Sequence, residues 1–396
     1  MFGEGGGKSL TYPMTQQGRA GEALALSGIS SFIGAFFATC GLVLLAPQLV
    51  KIALLFGPAE YFVLYVMAFA TLGGISAGNQ AKSVFAATIG LAIAMVHTHG
   101  ANRVEPYGDR IKVGGINANA LFTVDRVAPA MALMDGDNGL GPAVGMHALK
   151  TAMEMAEETG MAGVFVRGSN HFGPIAPYAY IAAQEGFASF ICSNATTTIA
   201  PTGGKEARLG NNPLGFGFPT PGVDPVILDM AMSVAARAKI RNAAAAKEPI
   251  PEGWATDAEG RPTTDPNTAL QGFLLPMGGY KGYGLSLCVD LLAGVLSNAA
   301  YLTHVSSWVD APDAAQNLGH SFILIDTKKM MPAQDLKSRM TDFETILHET
   351  PATDPQVPVM LPGEREMRYL KNAISDGIYL PASLVEKLRL ATQKVE

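Results

Sequence analysis

Charge is missing from the beginning of this chain. From Ala23 to Val50 no residue is charged, and the same holds from Tyr61 to Ala81. Each run exceeds the roughly 20 residues a helix needs to cross the hydrocarbon core of a bilayer. A third apolar run, Ser83 to Val96, is short for a span. Seven charged side chains serve all of residues 1–96: Glu4, Lys8, Arg19, Glu22, Lys51, Glu60 and Lys82. Arg19, Lys51 and Lys82 bracket the runs, and Pro47 and Pro58 lie between the first two. The runs are too long for a signal peptide, and no basic start with a small-residue cleavage site precedes them. Small residues inside them (Gly28, Ser30, Ser31, Gly34, Gly41) suit helix–helix packing in lipid. A soluble, fully buried helical pair is the alternative; two such runs in succession favour membrane contact through residues 23–96.

The rest of the chain reads differently. The net charge is −6; residues 1–96 carry four basic and three acidic groups, which leaves −7 for residues 97–396. A surface so charged argues against nucleic acid as the main partner, because phosphate binding needs a basic face. Apolar residues make up 48% of the chain and no low-complexity run occurs, so disorder is excluded. Cys40, Cys192 and Cys288 lie far apart without a CxxC, which rules out a disulfide scaffold or zinc ribbon; all three read as buried small hydrophobes. Helical and extended patterns alternate. A helix is expected near 142–158, with Ala148, Leu149, Ala152, Met155 and Ala156 on one face, and another near 176–185. Strands are expected at Ala162–Val166, Phe187–Cys192, Pro225–Leu228 and Phe322–Ile325, and an apolar core helix over Tyr283–Ala300 with one internal acid, Asp290.

No GxGxxG follows a strand, so a dinucleotide would not be held by the Rossmann fingerprint. The GGGKS of Gly5–Ser9 is not a P-loop, because its first glycine would be Phe2 and no strand precedes it.

Three polar clusters sit at ends of apolar segments. In HTHGANR, His97–Arg103, an imidazole and a guanidinium four residues apart project to one side of a helix. The guanidinium offers a two-point grip on a carboxylate, and the imidazole passes a proton near neutral pH. A solvated connecting loop is the alternative. No further ligand cluster supports a metal at its HxH, and no metal is expected. In RGSNHFGP, Arg167–Pro174, His171 sits at the end of a buried strand within a shaped loop, as a proton carrier or a structural histidine. MGGYKGYG, Met277–Gly284, opens a helix, where bare N–H groups and Lys281 favour phosphate; a tight turn is the alternative.

Two resemblances follow. Residues 1–95, through GRAGEAL (Gly18–Leu24) and FGPAEYF (Phe56–Phe62), resemble part of the large membrane subunit of tripartite tricarboxylate transporters. From His97 to the C-terminus the chain resembles the type-2 malate/L-lactate dehydrogenase family. The likeness rests on NANA (Asn117–Ala120), DGDNGLGPAVG (Asp135–Gly145), SNHFG (Ser169–Gly173), APTGG (Ala200–Gly204), LGNNPLGFGFP (Leu209–Pro219) and LDMAMS (Leu228–Ser233). It continues through IPEGWATDAEGRPTTDP (Ile250–Pro266), GGYKGYGLSLCVDLLAGVL (Gly278–Leu296), NLGH (Asn317–His320) and LPGE (Leu361–Glu364).

The resemblance implies an α/β, mixed-sheet, non-Rossmann fold, preceded here by two or three hydrophobic helices, and a homodimer. It divides the chain into a permease-like segment, 1–96, and a dehydrogenase domain, 97–396, with the cofactor-binding part near 120–330 and C-terminal helices at 331–396. It implies hydride transfer between NAD or NADP and a small 2-hydroxy or 2-oxo carboxylate. His171 matches the family's general acid/base, His99 a second proton-transfer histidine, and Arg103 the arginine that holds the substrate carboxylate. Asp229, Met230 and Ala231 match a cofactor segment, Lys281 the lysine at the cofactor, and Gly363, Glu364 and Arg365 a C-terminal cofactor loop. Thr98 stands where the family has serine. The expected location is the membrane, through the N-terminal segment, with the dehydrogenase domain cytoplasmic. Two alternatives stay open: a transport component, or a fusion impaired because the permease-like segment replaces the family's first soluble helices.

Overall fold

The chain is described over residues 104–376 of a computed structural model. The uncharged runs, the transporter-like motifs, His99 and Arg103 lie outside the described residues. Among the described residues, no helix is long and apolar enough to cross a membrane.

Helix α1 (Val104–Lys112) leads to a hairpin of β1 (Thr123–Ala128) and β2 (Met131–Asp135). The turn after β2 runs through Asp137 and Asn138 at φ 49° and 54°. Short polar side chains tolerate this left-handed region best after glycine. Pro142 then starts α2 (Gly141–Thr159), and Gly160 stops it at φ 89°. Val144, Ala148, Leu149, Ala152, Met155 and Ala156 form one buried stripe of α2, as their spacing of three and four predicts. The stripe packs on β3 (Met161–Ser169), whose Ala162, Val164 and Val166 alternate inward.

Strand β3 runs parallel to β2 and antiparallel to β11 (Leu318–Asp326). Helix α3 (Ala176–Gln184) and β4 (Phe187–Ser193) follow β3 in sequence, and β4 also flanks β11. Strands β7 (Leu214–Phe218) and β8 (Val226–Met230) complete a seven-stranded sheet of order β1-β2-β3-β11-β4-β7-β8. One parallel pair among antiparallel ones makes it mixed, as expected.

The period of two along β4 separates two cores. Ile191 joins the cluster under α2 and α3, whereas Phe190 and Cys192 join Leu214, Met232, Val289 and Ala293 on the opposite face. A smaller unit has its own cluster around Ile199, Ile240, Ile250 and Leu274. It gathers two-stranded ribbons, β5 (Thr197–Ile199) with β6 (Leu209–Gly210) and β9 (Ala255–Thr256) with β10 (Pro262–Thr263), beside α4 (Arg237–Ala246) and α5 (Pro266–Gln271). Helices α7 (Ala333–His348) and α8 (Glu364–Asp376) close the described chain.

Three expectations are corrected. The apolar helix begins at Tyr280, not Tyr283; α6 (Tyr280–Asp290) then widens into one π turn, Leu291–Val295. Asn298, left-handed at φ 59°, follows, so the helical run stops short of Ala300. The helix is also half-exposed. Gly282, Ser286, Val289 and Ala293 face the protein, while Leu285, Leu291, Val295 and Leu296 are exposed. Cys288 lies on that outer face and is exposed, unlike Cys192, whose burial pushes its thiol up to about 12. Cys40 is outside the described residues. Strand β8 starts one residue later than expected and runs on to Met230, which places Asp229 inside it.

Candidate active site

Strand β3 ends at Ser169, and Asn170, His171, Phe172 and Gly173 turn the chain toward α3. Gly168 stands at φ 63°, where a Cβ would sit 2.6 Å from Asp135 Oδ1, so only glycine lets the strand close against the β2 turn. The far side of the turn rests on the start of α2. A Cβ on Gly141 would lie 2.3 Å from both the Asn170 and His171 carbonyl oxygens.

His171 is held at three points. The Tyr107 hydroxyl of α1 lies 2.6 Å from its Nδ1. Trp308 stacks on the ring with centroids 5.1 Å apart and planes 11° apart. Its backbone N–H donates to Gln316 Oε1 at 3.3 Å. Phe172 is fixed as well: the Tyr178 hydroxyl donates to its carbonyl at 2.6 Å, and His320 stacks on its ring at 4.1 Å.

His320, on the central strand β11, is fully buried; Nδ1 meets Ser193 Oγ at 2.9 Å and Nε2 meets Ser169 Oγ at 2.7 Å. Burial first, and then the neighbouring His171, push its imidazole down to about 3, so it is neutral. A neutral ring donates once and accepts once. Ser193 Oγ already donates to the Asn194 carbonyl at 2.8 Å, whereas the Ser169 contact to the Asn170 carbonyl is long, 3.3 Å. The consistent assignment has Ser169 donating to Nε2 and Nδ1–H donating to Ser193.

The other expected site residues gather along β8 and its continuation. Asp229 Oδ2 accepts the backbone N–H groups of Ile175 and Ala176, both at 2.8 Å, and so anchors the start of α3 just after the His171 turn. Its residue surface is open, yet packing around the carboxyl raises its pKa, while those two N–H donors lower it. Met230 ends β8, and Ala231 follows it. Met232 accepts the Met277 N–H at 2.9 Å, which fastens the MGGYKGYG turn to the LDMAMS segment.

At the start of α6, Gly278 and Gly279 have φ 61° and 63°, and nothing lies within 4 Å of where their Cβ atoms would stand. No side chain caps this helix, and exposed Lys281 lies in its first turn. Ser233, which forms a backbone bridge with Pro276 just before this turn, has a buried Oγ without a hydrogen-bond partner among the described residues. Bare backbone, an uncapped helix start and an orphaned hydroxyl fit the phosphates of a dinucleotide.

Gly363, at φ 92°, packs against β8: a Cβ would lie 2.9 Å from the Ile227 carbonyl oxygen, and Pro362 accepts the Ile227 N–H at 3.1 Å. Glu364 Oε1 meets His348 Nε2 at 2.5 Å, tying α8 to α7, and Arg365 pairs with Glu366 at 3.2 Å. The structure thus brings His171, the LDMA segment, the Gly363 loop and the α6 turn onto one framework. Among the described residues no group of three or more His, Cys, Asp and Glu side chains is placed to hold a metal ion.

Sequence reasoning missed Tyr107, Arg110, Trp308 and Gln316. Tyr107 and Arg110 follow Arg103 by four and seven residues, the spacing of one helix face. Trp308 and Gln316 belong to a long connection with no pattern to mark them.

The family model of malate/L-lactate dehydrogenase matches residues 70–389. The match begins upstream of His97 and takes in residues 70–96, which the sequence reading counts with the apolar segment. The chain is 35% identical to the (2R)-3-sulfolactate dehydrogenase (NADP(+)) of Chromohalobacter salexigens, over 74% of this chain and 85% of that protein. It is 33% identical to the ureidoglycolate dehydrogenase (NAD(+)) of Escherichia coli, over 74% of this chain and 83% of that protein. The solved sulfolactate dehydrogenase from Methanocaldococcus jannaschii superposes with a TM-score of 0.73 at 32% identity, over 80% of this chain and 90% of that one.

Proposed function

Because the chain belongs to the malate/L-lactate dehydrogenase family and is an NAD(P)-dependent oxidoreductase of 2-hydroxy and 2-oxo acids, we propose that His171 is its general acid/base and that its substrates are small malate- or lactate-like carboxylates. The Tyr107–His171 contact carries this reading. When Nδ1–H donates to the Tyr107 oxygen, the Nε2 lone pair is left to take the proton from a 2-hydroxyl group; in reduction the imidazolium returns it. Stacking on Trp308 keeps the ring in plane, so the proton transfer loses little to reorientation.

Arg103 grips the substrate carboxylate at two points, and His99 stands as a second proton carrier. The nicotinamide cofactor, when bound, supplies or accepts the hydride. Its phosphates would be held by the Gly278–Gly279 backbone and Lys281. Asp229, Met230, Ala231 and the Gly363–Glu364–Arg365 loop would line the rest of its path. Asp229 acts on the turn too, because its hold on α3 fixes how far the His171 turn can shift.

The test is the absorbance change at 340 nm with NADH or NADPH and a panel of 2-oxo mono- and dicarboxylates. Turnover is expected with at least one pairing. His171→Asn should lower kcat by roughly 10²–10⁴-fold, and Arg103→Lys should raise KM most for carboxylate substrates, because the two-point grip is lost. No turnover with any 2-oxo acid would sink the substrate reading, and full turnover in His171→Asn would sink the acid/base.

A further inference from the structure

Arg110 is an unusual residue to find where it is. The residue is 2% exposed, and among the described residues its guanidinium meets neutral oxygens and no carboxylate. Burial lowers its pKa, and the charged form is the only one that can make the contacts it makes. A buried cation without a counter-charge is costly unless hydrogen bonds answer every proton.

They do. Nε donates to the Pro312 carbonyl at 3.1 Å. Nη1 donates to Asn170 Oδ1 at 2.8 Å and to Gln316 Oε1 at 3.1 Å. Nη2 donates to the Gly115 carbonyl at 2.8 Å and to the Ala314 carbonyl at 2.7 Å. A guanidinium has five N–H groups in a rigid fork, and all five are used.

The acceptors come from three separate stretches: the end of α1, the His171 turn, and the 312–316 connection into β11. Two of them lead to His171. Asn170 precedes it, and its own Nδ2 donates to the Asn138 and Gly139 carbonyls at 3.0 and 2.9 Å. Gln316 Oε1 accepts from Arg110 and from the His171 backbone N–H at once. Gly115 shows how tightly the stretches meet, since a Cβ there would lie 1.9 Å from the Pro312 carbonyl oxygen.

We infer that Arg110 is a positioning residue: through Asn170 and Gln316 it locks the backbone of the His171 turn, and the same fork holds α1, which carries Tyr107, and the connection that carries Trp308 in register with it. The inference rests on the reading of His171 as the acid/base. Lysine cannot replace this arginine, because three donors from one point do not reach five acceptors in three segments.

The test compares steady-state kinetics of the full-length enzyme and its variants. R110K should fold, retain KM for the 2-oxo acid and the nicotinamide within about twofold, and lose kcat by roughly tenfold or more, the pattern of an interaction that matters in the transition state. Combined with H171N, it should add almost nothing, because a residue acting through His171 has no further effect once the imidazole is gone. A folded R110K with wild-type kcat, or losses that multiply in the double variant, overturns the inference.

If R110K does not fold, Gln316 decides. Q316L breaks the bridge and should lose kcat at unchanged KM, whereas Q316E keeps an acceptor for both donors and should restore it. Equal kcat in Q316L and wild type overturns the inference. H171N at full turnover would overturn the acid/base reading instead, a result independent of how R110K and Q316L behave.

Discussion

At the scale of single residues the site depends on neutral partners more than on ion pairs. His320 is the clearest case, because its ring bridges Ser169 and Ser193 across the central strand without carrying charge. Its folded pKa of about 3 lies below the ordinary histidine value of 6.5. The unfolded chain therefore binds the extra proton first as pH falls. Stability from this group is complete above about pH 6.5 and is lost as pH drops toward 3, by about 1.4 kcal/mol per pH unit. Urea melts of His320→Gln should show a shallower loss of stability than wild type between pH 6.5 and 4; parallel curves would remove His320 from the acid response. None of this was legible in the residue itself. NLGH marks a family motif, but burial and both hydroxyl partners come from strands more than 120 residues away in sequence. The position of His171 at a strand end, by contrast, could be read directly, because a polar turn after a β-branched run is a local signal. Arg110 gave no such signal, since a charged residue near a helix end reads as solvent-facing.

At the scale of elements, local pattern served where one face of an element is buried. The α2 stripe and the alternation of β3 emerge at the expected positions because a single period explains each. Strand β11 was legible only in its middle, Phe322–Ile325. It is central and buried over nearly its whole length, so it has no polar face to reveal its ends. Helix α6 misled in the opposite sense, because an apolar outer face and an apolar inner face look alike in sequence. The two elements meet closely. A Cβ on Gly319 would stand 1.5 Å from the Ala293 carbonyl oxygen and 2.8 Å from Ser297 Oγ. Backbone occupies that space, so a methyl group can be accommodated only by moving β11 away from the π turn. Gly319→Ala should cost about 3 kcal/mol, in the range of overpacked cores. The check is a lowered urea midpoint at an unchanged m-value; a midpoint equal to wild type would mean that the contact gives way freely.

At the scale of the whole molecule, the mixed sheet was foreseen through its family likeness, not from periodicity, which names strands but not their order. The order matters for function. Because β8 is an edge strand, it and the residues that continue it meet three sequence-distant partners: the start of α3 through Asp229, the Gly363 loop through Ile227, and the α6 turn through Met232. A cofactor held along that strand would bridge these segments. Binding to the folded state alone then stabilises the protein by about 2.7 kcal/mol at a hundredfold excess over Kd. Thermal unfolding should therefore shift upward with NADH or NADPH, and the nucleotide giving the larger shift at equal concentration is the preferred one. Lys281 separates this effect from general packing. It is exposed, and no ion pair or hydrogen bond fixes it among the described residues, so Lys281→Ala should leave the unliganded melting temperature nearly unchanged. With the lysine charge gone from the uncapped α6 start, the nucleotide-induced shift should shrink. A variant with the full wild-type shift would place the phosphates away from Gly278–Gly279, and the convergence on β8 would then have to be read as architecture alone.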